Sequence, residues 1–184
     1  FSAINVTIPY KETVIPYLDE VDPKAAKMGA VNTVVQRNGK LFGYNTDYFG
    51  FRYMLEHNHI QIAGKKVLVL GRGGASKAVI AVLEDMGAAE IHTIYYKIAE
   101  NTISYETCYA LHTDAQVIVN TTPVGMYPNS GKTPIDLAPF TKLEAVADVV
   151  YNPLRTRLVL DAQERGCQAI GGLEMLVGQA KYAV

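Results

Sequence analysis

Lys66-Val67-Leu68-Val69-Leu70-Gly71-Arg72-Gly73-Gly74-Ala75-Ser76 is the stretch on which the reading of the whole chain turns. Val67 to Leu70 is an unbroken apolar run of strand length, the pattern of a strand buried on both faces. Glycines follow at once, and then a segment rich in Ala, Val, Ile and Leu runs to Met86-Gly87 at helical length. Strand, glycine turn and helix open a βαβ unit. A turn that holds a dinucleotide needs a first glycine for the tight bend and a second so that the backbone can approach the pyrophosphate. It also needs a small residue where helix and strand pack closely. Gly71, Gly73 and Ser76 fill those places in order. A plain strand-to-helix turn also uses glycine, but this one directly follows a buried strand and opens a helix. Gly71, Arg72, Gly73, Gly74 and Ala75 are therefore the expected phosphate-side residues.

Toward the C-terminus, apolar runs at Glu90 to Tyr96, Val117 to Asn120 and Ala145 to Val150 alternate with polar or helical stretches, which predicts a doubly wound, Rossmann-type parallel sheet. Gly171 to Val184 carries Leu173, Leu176, Val177 and Ala180 at helical spacing and predicts a closing helix. An NAD site usually places an acid at the end of the second strand to hold the ribose 2′-hydroxyl. Here that strand ends in Tyr95-Tyr96-Lys97. Lys97, with Arg72 as a second cation, favours a 2′-phosphate and hence NADP; NAD stays open, because Lys97 also reads as a solvated charge.

Toward the N-terminus, short β-branched runs at Ile4 to Ile8, Val31 to Gln36 and Lys40 to Tyr44 are broken by prolines and glycines, with a helical stretch between Tyr10 and Met28. Asn38-Gly39 between two of the runs predicts a hairpin. Asp47 precedes Phe51, Met54 and Leu55 at helical spacing and sits at an expected helix start. The organisation this predicts is a smaller α/β substrate domain over 1–47, a dinucleotide-binding domain over 48–170, and a helix over 171–184 that returns to the first domain.

With 17 Lys and Arg against 18 Asp and Glu, no overall field argues for nucleic acid or an anionic membrane as partner, so a small molecule is the expected ligand. The apolar runs are far shorter than the roughly 20 residues of a membrane-spanning helix. Cys108 and Cys167 belong to no metal-binding pattern and predict reduced thiols in a cytoplasmic protein. His57, His59, His92 and His112 have no metal-ligand spacing and read as surface or structural. The sequence begins at Phe1 and stops within an expected helix, so a piece of a longer protein is expected.

Several runs together resemble the shikimate dehydrogenase family, in that family's order along the chain. They are Asn5-Val6-Thr7-Ile8-Pro9-Tyr10-Lys11, Gly29-Ala30-Val31-Asn32-Thr33, Gly43-Tyr44-Asn45-Thr46-Asp47, Asn120-Thr121-Thr122-Pro123-Val124-Gly125-Met126, Asp148-Val149-Val150-Tyr151-Asn152-Pro153 and Gly172-Leu173-Glu174-Met175-Leu176-Val177-Gly178-Gln179. The chain departs from the pattern as well. The family's first fifty or so residues, with paired serine hydroxyls for the substrate carboxylate, have no counterpart here, and Tyr95-Tyr96-Lys97 stands where the family has Asn-Arg-Thr.

The resemblance implies reversible, NADP-linked reduction of 3-dehydroshikimate to shikimate in aromatic amino acid (chorismate) biosynthesis, by a monomer or homodimer. It assigns Lys11 and Asp47 to catalysis, Thr7, Asn32, Tyr151 and Gln179 to the substrate, and Thr121, Met126, Gly172 and Met175 to the cofactor. Interconverting an alcohol and a ketone needs an acid/base group at the oxygen, and a carboxylate partner would orient a lysine for that task. By spacing alone Lys11 reads as a solvated helix residue, Asp47 as a helix cap, Thr7 as a strand threonine, Asn32 as a turn residue and Gln179 as an exposed helix position. The rival readings are an NAD-linked quinate/shikimate dehydrogenase and a catalytically silent nucleotide-binding protein on the same fold.

Overall fold

The computed structural model describes residues 1–7, 9–97 and 99–183. Ile8 and Val184, which end two of the expected elements, lie outside the described residues. Two sheets carry the fold. The smaller consists of β1 (Ala3–Asn5), β2 (Glu20–Val21), β3 (Thr33–Arg37) and β4 (Lys40–Tyr44) in the order β1-β3-β4-β2. The β3–β4 hairpin turns at Asn38 and Gly39, both at positive φ (51° and 79°), as a tight two-residue turn requires. Its helix α1 (Pro23–Met28) starts where Asp22 accepts hydrogen bonds from the N–H groups of Lys24 and Ala25, and it stops at Gly29 in the left-handed conformation.

No helix runs from Tyr10 to Met28. Pro16 opens a single 3-10 turn (Ile15–Tyr17), the chain then extends through β2, and Asp22-Pro23 starts a separate helix. Proline lacks the N–H that a continuous helix would need at both points. The first strand is also shorter than its apolar run, ending at Asn5.

The larger sheet is wholly parallel, in the order β6-β5-β7-β8-β9: β5 (Lys66–Leu70), β6 (Glu90–Ile94), β7 (Val117–Asn120), β8 (Ala145–Asp148) and β9 (Gln168–Ile170). Helices cover both faces. Val67 and Val69 face α2 (Asp47–His57) and α3 (Gly74–Asp85), whereas Leu68 and Leu70 face α4 (Tyr105–Leu111) and α5 (Arg157–Glu164). That two-sided burial is why β5 reads as a continuous apolar run. Ile103 makes a single parallel bridge to Ile94 beyond the β6 edge. β6 and β8 end two residues before their apolar runs do, at Ile94 and Asp148, because the remaining residues belong to loops at the C-terminal edge.

The last helix, α6 (Leu173–Ala183), crosses α2 at close range. A Cβ on Gly50 would lie 2.4 Å from the Met175 carbonyl oxygen, and one on Gly178 would lie 3.1 Å from Gly50 Cα. Among the described residues no helix is long and apolar enough to cross a membrane.

Candidate functional site

In the parallel sheet the chain leaves β5 toward β6 on one side and continues at β7 on the other. The crevice at the C-terminal ends of β5 and β7 is thus a topological switch point, where ligands of such sheets bind. The glycine turn forms one lip of it. Gly71 takes φ +104°, and a Cβ there would sit 2.8 Å from Thr121 Oγ1, so both conformation and space require glycine. Thr121 donates its hydroxyl to the Leu70 carbonyl at 2.6 Å, which locks the β7 loop against this turn. Gly73 is the N-cap of α3, and a Cβ on it would meet nothing within 4 Å. Among the described residues the N–H groups of Gly73, Gly74 and Ala75 have no backbone partner. Open space before free N–H groups at a helix start fits a pyrophosphate.

Arg72 and Lys97 are exposed. The Tyr95 hydroxyl is raised above its usual range by its hydrogen bond with Tyr96, while Lys97 and Arg72 act on it in the opposite sense. Both cations therefore stand near the end of β6.

Facing this crevice is the smaller sheet, and the two meet around a cavity of about 340 Å³. Lys11 Nζ donates to Asp47 Oδ2 at 2.5 Å, with side chains only 13% and 9% exposed. Asp47 lies in the first turn of α2, whose N-cap is Thr46, and caps nothing; its other oxygen accepts from Asn32 Nδ2 at 2.9 Å. Asn32 is buried, accepts from the Thr46 N–H at 2.8 Å and donates to Thr46 Oγ1 at 3.0 Å. Thr46 in turn donates to Gln179 Oε1 at 3.2 Å, tying α6 into the same network. The stem of Lys11 packs on Gly74, where a Cβ would be 3.2 Å from Lys11 Cδ. Lys77 on α3 donates to the Gly29 carbonyl at 3.3 Å and pairs with Glu12 at 3.0 Å, so the glycine-turn helix also rests on the segment that carries Lys11.

Thr7, Lys11, Asn32, Asp47, Tyr151 and Gln179 all line the cavity. So do Ala75, Thr121, Met126, Gly172 and Met175 from the expected cofactor set, whereas Gly71, Arg72, Gly73, Gly74 and Lys97 do not. Residue spacing gave no sign of Asn5, Val6, Thr122, Pro123, Val149, Val150 and Leu176, which complete the walls. Val6, Thr122, Pro123, Val149 and Val150 lie in loops beyond strand ends, Asn5 closes β1 and Leu176 stands in the first turn of α6, and no periodicity marks such positions. Among the described residues no cluster of His, Cys, Asp and Glu could hold a metal ion.

A parallel dinucleotide-type sheet that faces a nearly buried lysine–carboxylate pair defines an alcohol oxidoreductase of the nicotinamide-linked class. Residues 1–34 match the family model described as the shikimate dehydrogenase substrate binding domain. The shikimate dehydrogenase (NADP(+)) of Clostridium beijerinckii is 41% identical over 186 residues, with 96% of this chain and 68% of the relative covered. That of Halothermothrix orenii is 43% identical, covering 100% of this chain and 71% of the relative. Shikimate dehydrogenase 1 from Peptoclostridium difficile superposes with a TM-score of 0.91 at 39% identity, over 100% of this chain and 69% of that one. The Thermus thermophilus shikimate 5-dehydrogenase in complex with NADP(H) and shikimate superposes with a TM-score of 0.87 at 35% identity, over 100% and 71%. The chain belongs to the shikimate dehydrogenase family.

Proposed function

We propose that this protein is an NADP-dependent shikimate dehydrogenase that interconverts shikimate and 3-dehydroshikimate within aromatic amino acid biosynthesis. The observation that carries the reading is the Lys11–Asp47 pair at the cavity wall opposite the β7 and β8 loops. Gly71, Gly73, Gly74 and Ala75 would hold the dinucleotide, whose reduced form, NADPH, would supply the hydride for reduction and whose oxidised form, NADP, would take it up in oxidation. In oxidation Lys11 Nζ accepts the hydroxyl proton of the alcohol, and in reduction it returns a proton to the ketone oxygen. Asp47 Oδ2 holds the ammonium in place, and Asn32 fixes the carboxylate through Oδ1. Asn32, Gln179, Thr7 and Tyr151 offer neutral hydrogen-bonding groups suited to ring hydroxyls. Arg72 and Lys97 take the 2′-phosphate.

In this reading residues 1–47 form the substrate domain, 48–170 the dinucleotide domain, and 171–184 the returning helix. Cys108 and Cys167 are free thiols, in keeping with a cytoplasmic enzyme, and it works as a monomer or homodimer.

The test follows shikimate oxidation by the absorbance of the reduced nicotinamide, using the protein encoded by the complete reading frame. A general acid/base contributes about 10²–10⁴-fold to rate, so Lys11→Met lowers kcat by that factor and leaves shikimate affinity within a few-fold. Asp47→Asn costs both, and the double variant is little worse than the poorer single one because the two residues share one step. Near-normal turnover in Lys11→Met would remove lysine from the mechanism, and multiplicative losses in the double variant would separate the pair.

A further inference from the structure

A second polar assembly lies under the opposite wall of the cavity. Asn120 and Asp148 end the neighbouring strands β7 and β8 as register partners, and both are fully buried. Asn120 Nδ2 donates to Asp148 Oδ1 at 2.9 Å. Asp148 Oδ1 also accepts from the Val150 N–H at 3.0 Å, and Oδ2 accepts from Thr156 Oγ1 at 2.6 Å. Asn120 Oδ1 accepts from the Thr122 N–H at 3.0 Å and from Thr122 Oγ1 at 2.7 Å. Every side-chain oxygen of the pair is thus committed to a loop or a helix start.

Burying a carboxylate at the end of a central strand opposes folding unless donors satisfy it. Burial has the larger influence on Asp148 and pushes its carboxyl up to about 6 despite three donors. Apolar residues would fill these two strand ends at lower cost. What the pair adds is aim: it anchors the loop that presents Thr121, Thr122 and Met126 and the loop that presents Val150 and Tyr151. The second loop also seats α6, since the Gly172 N–H donates to the Val150 carbonyl at 2.9 Å and a Cβ on Gly172 would fall 2.1 Å from the Val149 carbonyl oxygen. Neither Asn120 nor Asp148 lines the cavity.

We propose that Asn120 and Asp148 are positioning residues for the cofactor, a buried amide–carboxylate bridge that holds the β7 and β8 loops in register against the dinucleotide. The role rests on the dehydrogenase reading above and falls mainly on the cofactor wall, because Lys11, Asp47 and Asn32 are held by a separate network, and Tyr151 is the substrate-side residue that stands on an anchored loop.

The test uses the protein encoded by the complete reading frame and measures NADPH affinity by calorimetric titration, KM for NADP and for shikimate, and the melting temperature. Asn120→Ala is expected to weaken NADPH binding and raise KM for NADP at least tenfold, with KM for shikimate changed less than threefold. Asp148→Asn keeps an oxygen for Asn120 and Val150 and is expected to stay within threefold of wild type. Thr156 sits at the start of α5, away from the cavity: Thr156→Val, which removes a partner of Asp148, raises NADPH Kd about threefold or more, while Thr156→Ser restores it. This remote pair decides the matter should Asn120→Ala not fold. Unchanged NADPH affinity in folded Asn120→Ala and Thr156→Val proteins would overturn the proposal. Equal losses for cofactor and shikimate would also overturn it, as would an Asp148→Asn protein as impaired as Asn120→Ala. Wild-type protein that binds NADPH but does not oxidise shikimate would fail the dehydrogenase reading alone, since the affinities still judge the bridge.

Discussion

At the scale of single residues, the two buried acidic side chains among the described residues are held in opposite ways. Asp47 faces a cation and an amide, whereas Asp148 faces three neutral donors at the end of a central strand. Burial therefore dominates at Asp148 and raises its carboxyl from 3.8 to about 6. A raised acid means that the folded chain binds the proton more tightly than the unfolded one. The stability it contributes is fully present below the unfolded value near 3.8 and is lost as pH rises through about 6. The difference corresponds to about 3 kcal/mol across the whole window. Asp148→Asn does not titrate, so its stability relative to wild type should rise by up to that amount between acidic and neutral pH. Urea unfolding of both proteins at a series of pH values checks this. Parallel pH curves would show that Asp148 is already ionised at little cost.

At the scale of elements, α3 separates two kinds of glycine. Gly73 faces open space at its N-cap, whereas Gly50 on α2 lies against the backbone of α6. Gly73→Val should cost under about 1.5 kcal/mol of stability, the range of a changed helix cap, yet weaken NADP at least tenfold by occupying the pyrophosphate space. Gly50→Ala should do the reverse. Its Cβ meets backbone atoms that cannot rotate away, so the helix crossing opens at a cost of about 1–3 kcal/mol, while NADP affinity of the folded protein stays within a few-fold. Melting curves and NADP titrations on the two variants decide it, and a stable Gly50→Ala protein or a Gly73→Val protein with wild-type affinity would contradict the assignment.

The β5–α3 unit was legible because a doubly buried strand and its glycine turn leave a local trace. The same holds for β7, β4 and the Asn38-Gly39 hairpin. The end of β6 and the break at Pro16 were not, because apolar loop residues at a sheet edge look like strand, and two prolines count for little against an apolar pattern. The short strand β9 lacks any run long enough to announce it. Within the site, Lys11 and Asp47 stand 36 residues apart, and Thr46 and Gln179 are 133 apart. Spacing within an element cannot show such contacts; the ordered motifs pointed to the first pair, and nothing marked the second. The Asn120–Asp148 bridge, 28 residues apart, escaped because each residue alone reads as the polar end of a strand.

At the scale of the whole molecule, the cofactor should act as a clamp on a fold in which α3 touches both sheets' territories. Its N-terminus faces the switch point, and its Lys77 reaches Glu12 and the Gly29 carbonyl. A ligand that binds only the folded state stabilises it by about 2.7 kcal/mol at a hundredfold excess over Kd. For a chain of this length each kcal/mol moves the melting temperature by about 2–4 °C. NADP at that excess should therefore raise it by about 5–11 °C. NAD at the same concentration lacks the 2′-phosphate that Arg72 and Lys97 hold in the proposed reading. A charge-assisted contact of this kind contributes about 1.5–3 kcal/mol, so NAD should give a clearly smaller shift. Lys97→Ala should then bring the NADP shift down toward the NAD one and leave the NAD shift unchanged. Differential scanning fluorimetry with both cofactors on both proteins measures all four numbers. Equal shifts for NADP and NAD in the wild-type protein would take the 2′-phosphate away from Arg72 and Lys97. A Lys97→Ala protein whose two shifts fall together would show that Lys97 supports the fold at the end of β6 and does not discriminate between the cofactors.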